Sequence, residues 1–452
     1  MKKPPYKSNG LPDDYYKYLL TGGTGQQSGV PDVRINYHGH DASNLPPGPF
    51  QITSKTFPYD AYSASPVHRF YQMWQQLDCD AGAADQSNGW GCSSDLFPWV
   101  EVTIGAGSNG KAQPKPFNDL TTGEGSTSMG FYNMQQGDVP YFKQLADNYT
   151  ISDNFHQSVQ GGTGANHIML GTADAMWFSD GSGHPQTPPN NGVDPKNPGT
   201  PLPGKTSALS EIEDPDPQPG TNNYYKQDGY GGGSGSPTAK APNANYGGGS
   251  YINCGDSKQP GVSAVLDYLG DLERPVGSRC DKGNYYLVNN YNPGYFGDGS
   301  NAYTDTNAAN TVYTIPPSTV RTLGDLLIAN GVSWAYYGDQ WNLYLKDKYY
   351  QNPNNLYCNI CNFSQYATSI MTNSAYRAAY LKDTTDLYAG IKSGNLPAVS
   401  FVKPSGLVDG HPASSKMNLF EGFVKKIIDG VKKSSLWADT AILVTFDEGG
   451  GF

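Results

Sequence analysis

The chain has 452 residues, 37% of them hydrophobic and 16% charged, with 55 Gly, 34 Pro, 33 Tyr and a formal net charge of −11. This length accommodates one large α/β core with insertions, and the excess of small polar and aromatic residues points to long ordered loops. The negative balance argues against nucleic acid or an anionic membrane surface as a main partner.

Residues 1–60 are rich in Gly, Pro, Asn and Asp without periodicity and read as loops. Met1-Lys-Lys runs into Pro-Pro-Tyr-Lys, which lacks the apolar core of an export signal. No stretch is apolar for long enough to predict a transmembrane helix. PVHRFYQMWQQL (66–77) predicts a helix with an aromatic face, carrying His68. Asp138 is placed to cap a helix that runs to Asn148, and YTISDNF (149–155) alternates as a strand does. HQSVQGGTGANHIMLGTADA (156–175) reads as a glycine-rich turn leading into an apolar helix.

From residue 180 to about 320 the texture changes, and GYGGGSGSPTAKAPNANYGGGSY (229–251) is close to low complexity. Its tyrosines and a local cysteine pair favour an ordered surface insertion over a disordered one. Residues 1–179 are then the first part of a core, 180–320 a long Gly/Asn/Tyr-rich insertion, and 321–452 the second part of the core.

In that second part, TLGDLLIANG (322–331) predicts a helix stopped by Gly331, followed by a strand at VSWAYYG (332–338). LPAVSFV (396–402) predicts another strand. NLFEGFVKKIIDGVKK (418–433) is an amphipathic helix, with Asn418 as N-cap and Glu421 as its reciprocal partner. TAILVTF (440–446) reads as a buried strand that delivers Asp447 and Glu448 to a Gly449-Gly450-Gly451 turn. Strands alternating with helices imply an α/β fold, a mostly parallel sheet with helices on both faces. Functional groups in such folds gather at the carboxyl ends of the strands.

Six cysteines fall into three local pairs, most simply Cys79–Cys92, Cys254–Cys280 and Cys358–Cys361. Disulfides place the chain in an oxidising compartment, periplasmic or secreted. A zinc site at Cys358-Asn-Ile-Cys361 is the alternative, but no second pair stands at useful spacing.

Four segments carry candidate chemistry. Thr163 follows Gly161-Gly162 at a helix start, where backbone N–H groups stabilise anions and favour a nucleophilic hydroxyl; the plainer alternative is a capping threonine. Asp447 and Glu448 are adjacent acids, costly beside an apolar strand unless they bind a metal or act as a base. Gly410-His411-Pro412 lies in a strand-to-helix loop, and His68 lies on an aromatic helix. Alone, the first would be a surface histidine and the second a core histidine.

Together TISDNFHQSVQGGTGANHIMLG, GVSWAYYG, LPAVSFVKPSGLVDGHPASS and WADTAILVTFDEGGGF resemble, in this order, the bacterial acid phosphatase and phospholipase C family of phosphoesterases. That family is related in fold to alkaline phosphatase and the sulfatases. The resemblance implies an alkaline phosphatase-like α/β fold and hydrolysis of a phosphate ester through a phospho-threonine at Thr163. It implies one divalent metal ion of unspecified identity, held by Asp447, Glu448 and Thr163. It gives His411 and His68 the tasks of holding phosphate or protonating the leaving group. Asn166 and His167 match an Asn-His pair that shapes the nucleophile turn and meets the substrate.

Three departures accompany the resemblance. No strand ending in Glu-Asn-x-Ser-Phe-Asp precedes His68, Asn362 stands where a further histidine is expected, and the family continues beyond DEGGGF. The chain accordingly reads as truncated at both ends. An acid phosphatase-like activity is favoured by the PVHRFYQ and SWAYYG blocks. The alternatives are a phospholipase C-type phosphodiesterase that takes a lipid headgroup, and an inactive fragment whose insertion binds carbohydrate or a surface. Sulfatase-like chemistry is disfavoured by a threonine at 163.

Overall fold

The structure, a computed structural model, describes residues 50–51, 53, 59, 68, 70–77, 79–92, 94, 130–188, 251–258, 262–307, 311, 313–411 and 415–449. Most of the loops expected over 1–60, the tract 229–250, Pro412 and Gly450-Gly451 lie outside the described residues. Helices α1 (Phe70–Leu77), α2 (Pro140–Asn148), α3 (Thr163–Thr172) and α4 (Val262–Asp271) come first. They are followed by α5 (Leu323–Ala329), β1 (Trp334–Gly338), β2 (Leu381–Asp383), α6 (Thr384–Ser393), β3 (Val399–Lys403) and α7 (Met417–Lys432).

The three strands form a parallel sheet in the order β2-β1-β3, with Gly338 level with both Asp383 and Lys403. All five residues of β1 are buried, and their alternation divides the core in two. Trp334 and Tyr336 pack with Phe363, Tyr380 and Phe401 and against Leu327 and Ile328 of α5. The Trp334 and Tyr380 rings stack at 4.7 Å. On the other face, Ala335 and Tyr337 meet Leu387 and Ile391 of α6 and Ile427 and Val431 of α7. Helices therefore cover both faces, the arrangement predicted for an α/β chain.

Asp339 ties the carboxyl edge together. Its N–H donates to the Lys403 carbonyl at 2.9 Å, and its carboxylate accepts from Thr384 Oγ1 at 2.9 Å and from the Ser405 N–H at 3.2 Å. Helix α6 was not anticipated, although its signals are plain in the sequence. Asp383 and Asp386 form a capping box at its start, and Gly394 ends it in the left-handed conformation.

Residues 251–258, 285–307 and 313–320 include groups that pack against α3. Tyr251, Leu287, Tyr291 and Ile315 share a buried cluster with Ile168 of α3 and with Met176 and Phe178. Helix α3 also lies flush against the 3-10 turn Phe363–Tyr366. A Cβ on Gly171 would fall 2.0 Å from Phe363 Cγ, so no side chain fits there. The three cysteine pairs stand at disulfide distance in the pairing predicted, including Cys358 with Cys361. Among the described residues no helix is long and apolar enough to cross a membrane.

Several local expectations are corrected. Residues 441–446 form no strand: Leu443 is 88% exposed, and Ile442, Val444 and Phe446 are exposed as well. An apolar, β-branched run becomes a strand only when a neighbour supplies ladder bonds, and here no described strand does. YTISDNF is likewise unpaired, with Tyr149, Ile151 and Phe155 exposed. Asp138 does not cap α2, whose N-cap is Val139 without a side-chain bond. Instead Asp138 is buried and accepts from the Asn133 N–H and from Gln51 and Thr53.

Asn418 sits inside α7 and not at its N-cap, which is Lys416. Glu421 serves another helix. Its Oε1 accepts the Tyr141 and Phe142 N–H groups at 2.7 and 3.0 Å, and its Oε2 accepts the Tyr59 hydroxyl. This buried carboxylate thus caps α2 from a distance and favours its positive end. Glu421→Ala is expected to destabilise the fold by about 2–4 kcal/mol, because two backbone donors and a hydroxyl lose their acceptor together. Guanidinium unfolding checks this, and a loss below about 1 kcal/mol would contradict the capping role.

Candidate active site

The site is built around the turn that opens α3. Gly162 occupies a positive φ of 47°, and Thr163 is the first helical residue, half-buried. Asn166 staples this turn from within the helix. Its Oδ1 accepts the Val159 N–H at 2.9 Å, and its Nδ2 donates to the Val159 and Gly161 carbonyls, each at 2.9 Å. Both ends of the amide are committed to the turn itself. Asn166 therefore shapes the turn before Thr163, and the substrate contact implied for it has no hydrogen left to use.

His68 lies two residues ahead of α1, not within it, and is buried. Its carbonyl accepts the Gly162 N–H at 3.0 Å, which fastens the histidine to the turn before Thr163. Its Nε2 is 3.8 Å from Glu448 Oε1, and its ring lies 5.5 Å from that of His411. His167, one helical turn beyond Thr163, has Nε2 3.6 Å from Asp447 Oδ2. Thus the two adjacent acids divide, Glu448 toward His68 and Asp447 toward His167.

The acids reach this place through local packing, not through a ladder. The Phe446 ring contacts Phe142 of α2 and Phe420 of α7 at 6.1 and 5.4 Å, and the Gly449 N–H donates to Gln157 Oε1. His411 is held from the β3 end. Lys403 pairs with Asp409 at 3.2 Å, and the other oxygen of Asp409 accepts the His411 N–H at 3.0 Å. Lys403, Asp409 and Asn290, whose Oδ1 accepts the Gly164 N–H at 2.7 Å, belong to the site's surroundings but were not singled out from sequence. The first two lay inside a block already quoted, where LPAVSFVKPSGLVDGHP reads Lys and Asp around the histidine.

Burial pushes the His167 imidazolium down to about 4; the Asp447 carboxylate opposes that shift and Lys403 adds to it. The ring is therefore neutral at neutral pH. Its Nε2 is buried without a hydrogen-bond partner. Asn362, which stands where a further histidine is expected, is fully buried, donates to the Tyr357 hydroxyl and accepts the Ser364 N–H.

Among the described residues no three His, Cys, Asp or Glu side chains converge as a metal-ligating group. The donors come as two pairs. The Asp447–His167 separation of 3.6 Å is too long for a hydrogen bond. It suits two ligands of one ion whose bonds are roughly 2.1 Å. Carboxylate oxygens, a neutral imidazole nitrogen and a hydroxyl fit a divalent cation in kind.

No curated protein matches the chain. The phosphoesterase family profile matches residues 22–452, a span that takes in Thr163, both acids and all three histidines of the site. Its members hydrolyse phosphate esters. The chain belongs to the phosphoesterase family.

Proposed function

We propose that the protein is an acid phosphatase-like phosphoric ester hydrolase with an alkaline phosphatase-like core, acting through a phospho-threonine at Thr163. One observation carries this reading: the Thr163 turn is fastened to His68, while Glu448 and Asp447 face His68 and His167 on either side of it. With His411 beside His68, four segments far apart in sequence thereby meet around the turn that carries Thr163. The three cysteine pairs support a periplasmic or secreted setting.

A divalent cation would be held by Asp447, Glu448 and Thr163. When bound, it supplies Lewis-acid chemistry, lowering the pKa of a hydroxyl and offsetting phosphoryl charge. The remaining work belongs to side chains of the protein. Thr163 Oγ1 bonds to phosphorus as the ester oxygen departs, and the threonine's proton leaves to solvent. His411 hands the leaving alcohol a proton, with Asp409 fixing its backbone and Lys403 fixing Asp409. Water then attacks the phospho-threonine and gives a proton back to His411, while the departing Thr163 oxygen takes a proton from solvent to regain its hydroxyl. His68 holds the nucleophile turn and stands beside His411 to meet phosphoryl oxygens.

The substrate class is tested by comparing p-nitrophenyl phosphate with bis-p-nitrophenyl phosphate and a phosphatidylcholine dispersion. The expected order is monoester first, by about tenfold or more in kcat/KM, a difference of about 1.4 kcal/mol in transition-state binding. A preference for the diesters would move the protein to the phospholipase branch. Hydrolysis of none of the three would refute the enzymatic reading.

A further inference from the structure

Lys403, Asp409 and His411 join the phosphoester site to β3, and β2 lies on the other side of β1. There a cleft of about 330 Å³ is lined by β2 and by the short helices Trp341–Tyr344 and Ser374–Tyr380. The volume suits a small molecule. None of its lining residues belongs to the phosphoester site.

The floor of the cleft is apolar. Trp341 and Leu381 are buried in it, and Leu345 beside them is 41% exposed. A Cβ on Gly297 would lie 2.8 Å from Trp341 Cη2 and 2.9 Å from Leu345 Cδ2, so a larger residue there would collide with this floor.

The rim is cationic. Arg377 Nη1 donates to the Met371 carbonyl, and its guanidinium lies against Gly299, which has a φ of 85°. Lys382 Nζ donates to the Ala378 carbonyl at 2.6 Å. Among the described residues neither side chain pairs with a carboxylate, and most of their N–H groups are uncommitted. The one carboxylate lining the cleft, Asp386, already accepts the Asp383 N–H at 3.1 Å in the capping box of α6. Two unpaired cations over an apolar floor are conspicuous in a chain of net charge −11.

We propose that this cleft binds a small organic carboxylate with an apolar body, the body on Trp341 and Leu345 and the carboxylate on Arg377. A guanidinium fork matches a carboxylate through two parallel hydrogen bonds, and Lys382 adds a second charge at the same rim. The contact between Arg377 and the Met371 carbonyl already orders the guanidinium, which lowers the cost of binding.

The probe is 2-naphthoate, titrated into the full chain by calorimetry, with 2-naphthamide as its uncharged counterpart. Naphthoate is expected to bind with a Kd on the order of 0.1 mM, and the amide about tenfold or more weakly. Inorganic phosphate is expected not to displace it. Arg377→Met is expected to weaken naphthoate binding by about tenfold or more. Lys382→Glu, which reverses a charge on the edge strand, is expected to weaken it by about tenfold and decides the matter should Arg377→Met unfold. No naphthoate binding at about 5 mM, or equal binding of the amide, would overturn the proposal. So would displacement by phosphate, which would put the probe at the phosphoester site, or an affinity within about twofold of the unmodified protein in the folded variants.

Discussion

Thr163→Ala is expected to lower kcat/KM for p-nitrophenyl phosphate by a factor on the order of 10⁴ to 10⁶, the range seen when a covalent nucleophile is removed from a working site. The residue is the first of α3, where alanine is a good helix former, so stability changes by only a few tenths of a kcal/mol. The Asn166 staple and the Gly162–His68 bond do not involve the threonine side chain and survive the change. Loss of activity with an unchanged unfolding midpoint is therefore the predicted pair of results. Thr163→Ser keeps the hydroxyl and is expected to stay within about 100-fold of the unmodified protein. Retained turnover in Thr163→Ala would remove the threonine from the chemistry.

The second large effect concerns Asp447 and Glu448. Two neighbouring carboxylates repel each other, and the Glu448 side chain is only 4% exposed, so the proposed cation would relieve both charge repulsion and burial. A chelator is expected to lower both activity and the unfolding midpoint, and added divalent cation to restore them. Asp447→Asn and Glu448→Gln are each expected to weaken cation affinity by about 100-fold or more, measured by calorimetric titration, since each removes a direct ligand and not an outer partner. The midpoints of these variants should no longer respond to chelator. Variants that bind the cation as tightly as the unmodified protein would show that the acids serve another purpose.

Two strands of the parallel core, VSWAYYG and LPAVSFV, were legible because they announce themselves, while the three-residue β2 was not. VSWAYYG and the amphipathic helix of 417–432 owe their structure to alternation and to an apolar stripe, both local properties. The three cysteine pairs were legible because each is close in sequence. What failed was whatever depended on a partner. TAILVTF has strand composition but no described strand beside it, and Glu421 looked like a local capping residue while its bonds go to α2. Side-chain composition fixes a preference, and the available hydrogen-bond partner decides the outcome.

The site divides in the same way. Thr163, Asp447 and Glu448 stand out as candidates because a glycine turn before a helix and two adjacent acids are unusual in a sequence, and His167 does so through the family resemblance. The grouping of His68 with Glu448, and of His167 with Asp447, required coordinates, since neither pair is close along the chain. Asn290 could not be found at all from Tyr-Leu-Val-Asn-Asn-Tyr, one asparagine among many in a tract rich in them. Only the Gly164 N–H marks it out.

The central claim is that Thr163 carries the phosphoryl group, and trapping that group tests it most directly. The protein is incubated with a phosphate monoester, quenched in acid during turnover, digested, and the peptide containing Thr163 examined by mass spectrometry. One added phosphoryl group on Thr163, absent when the chelator is present and absent in Thr163→Ala, is the result predicted. Steady turnover with no label on Thr163, or with label on another side chain, would contradict the account.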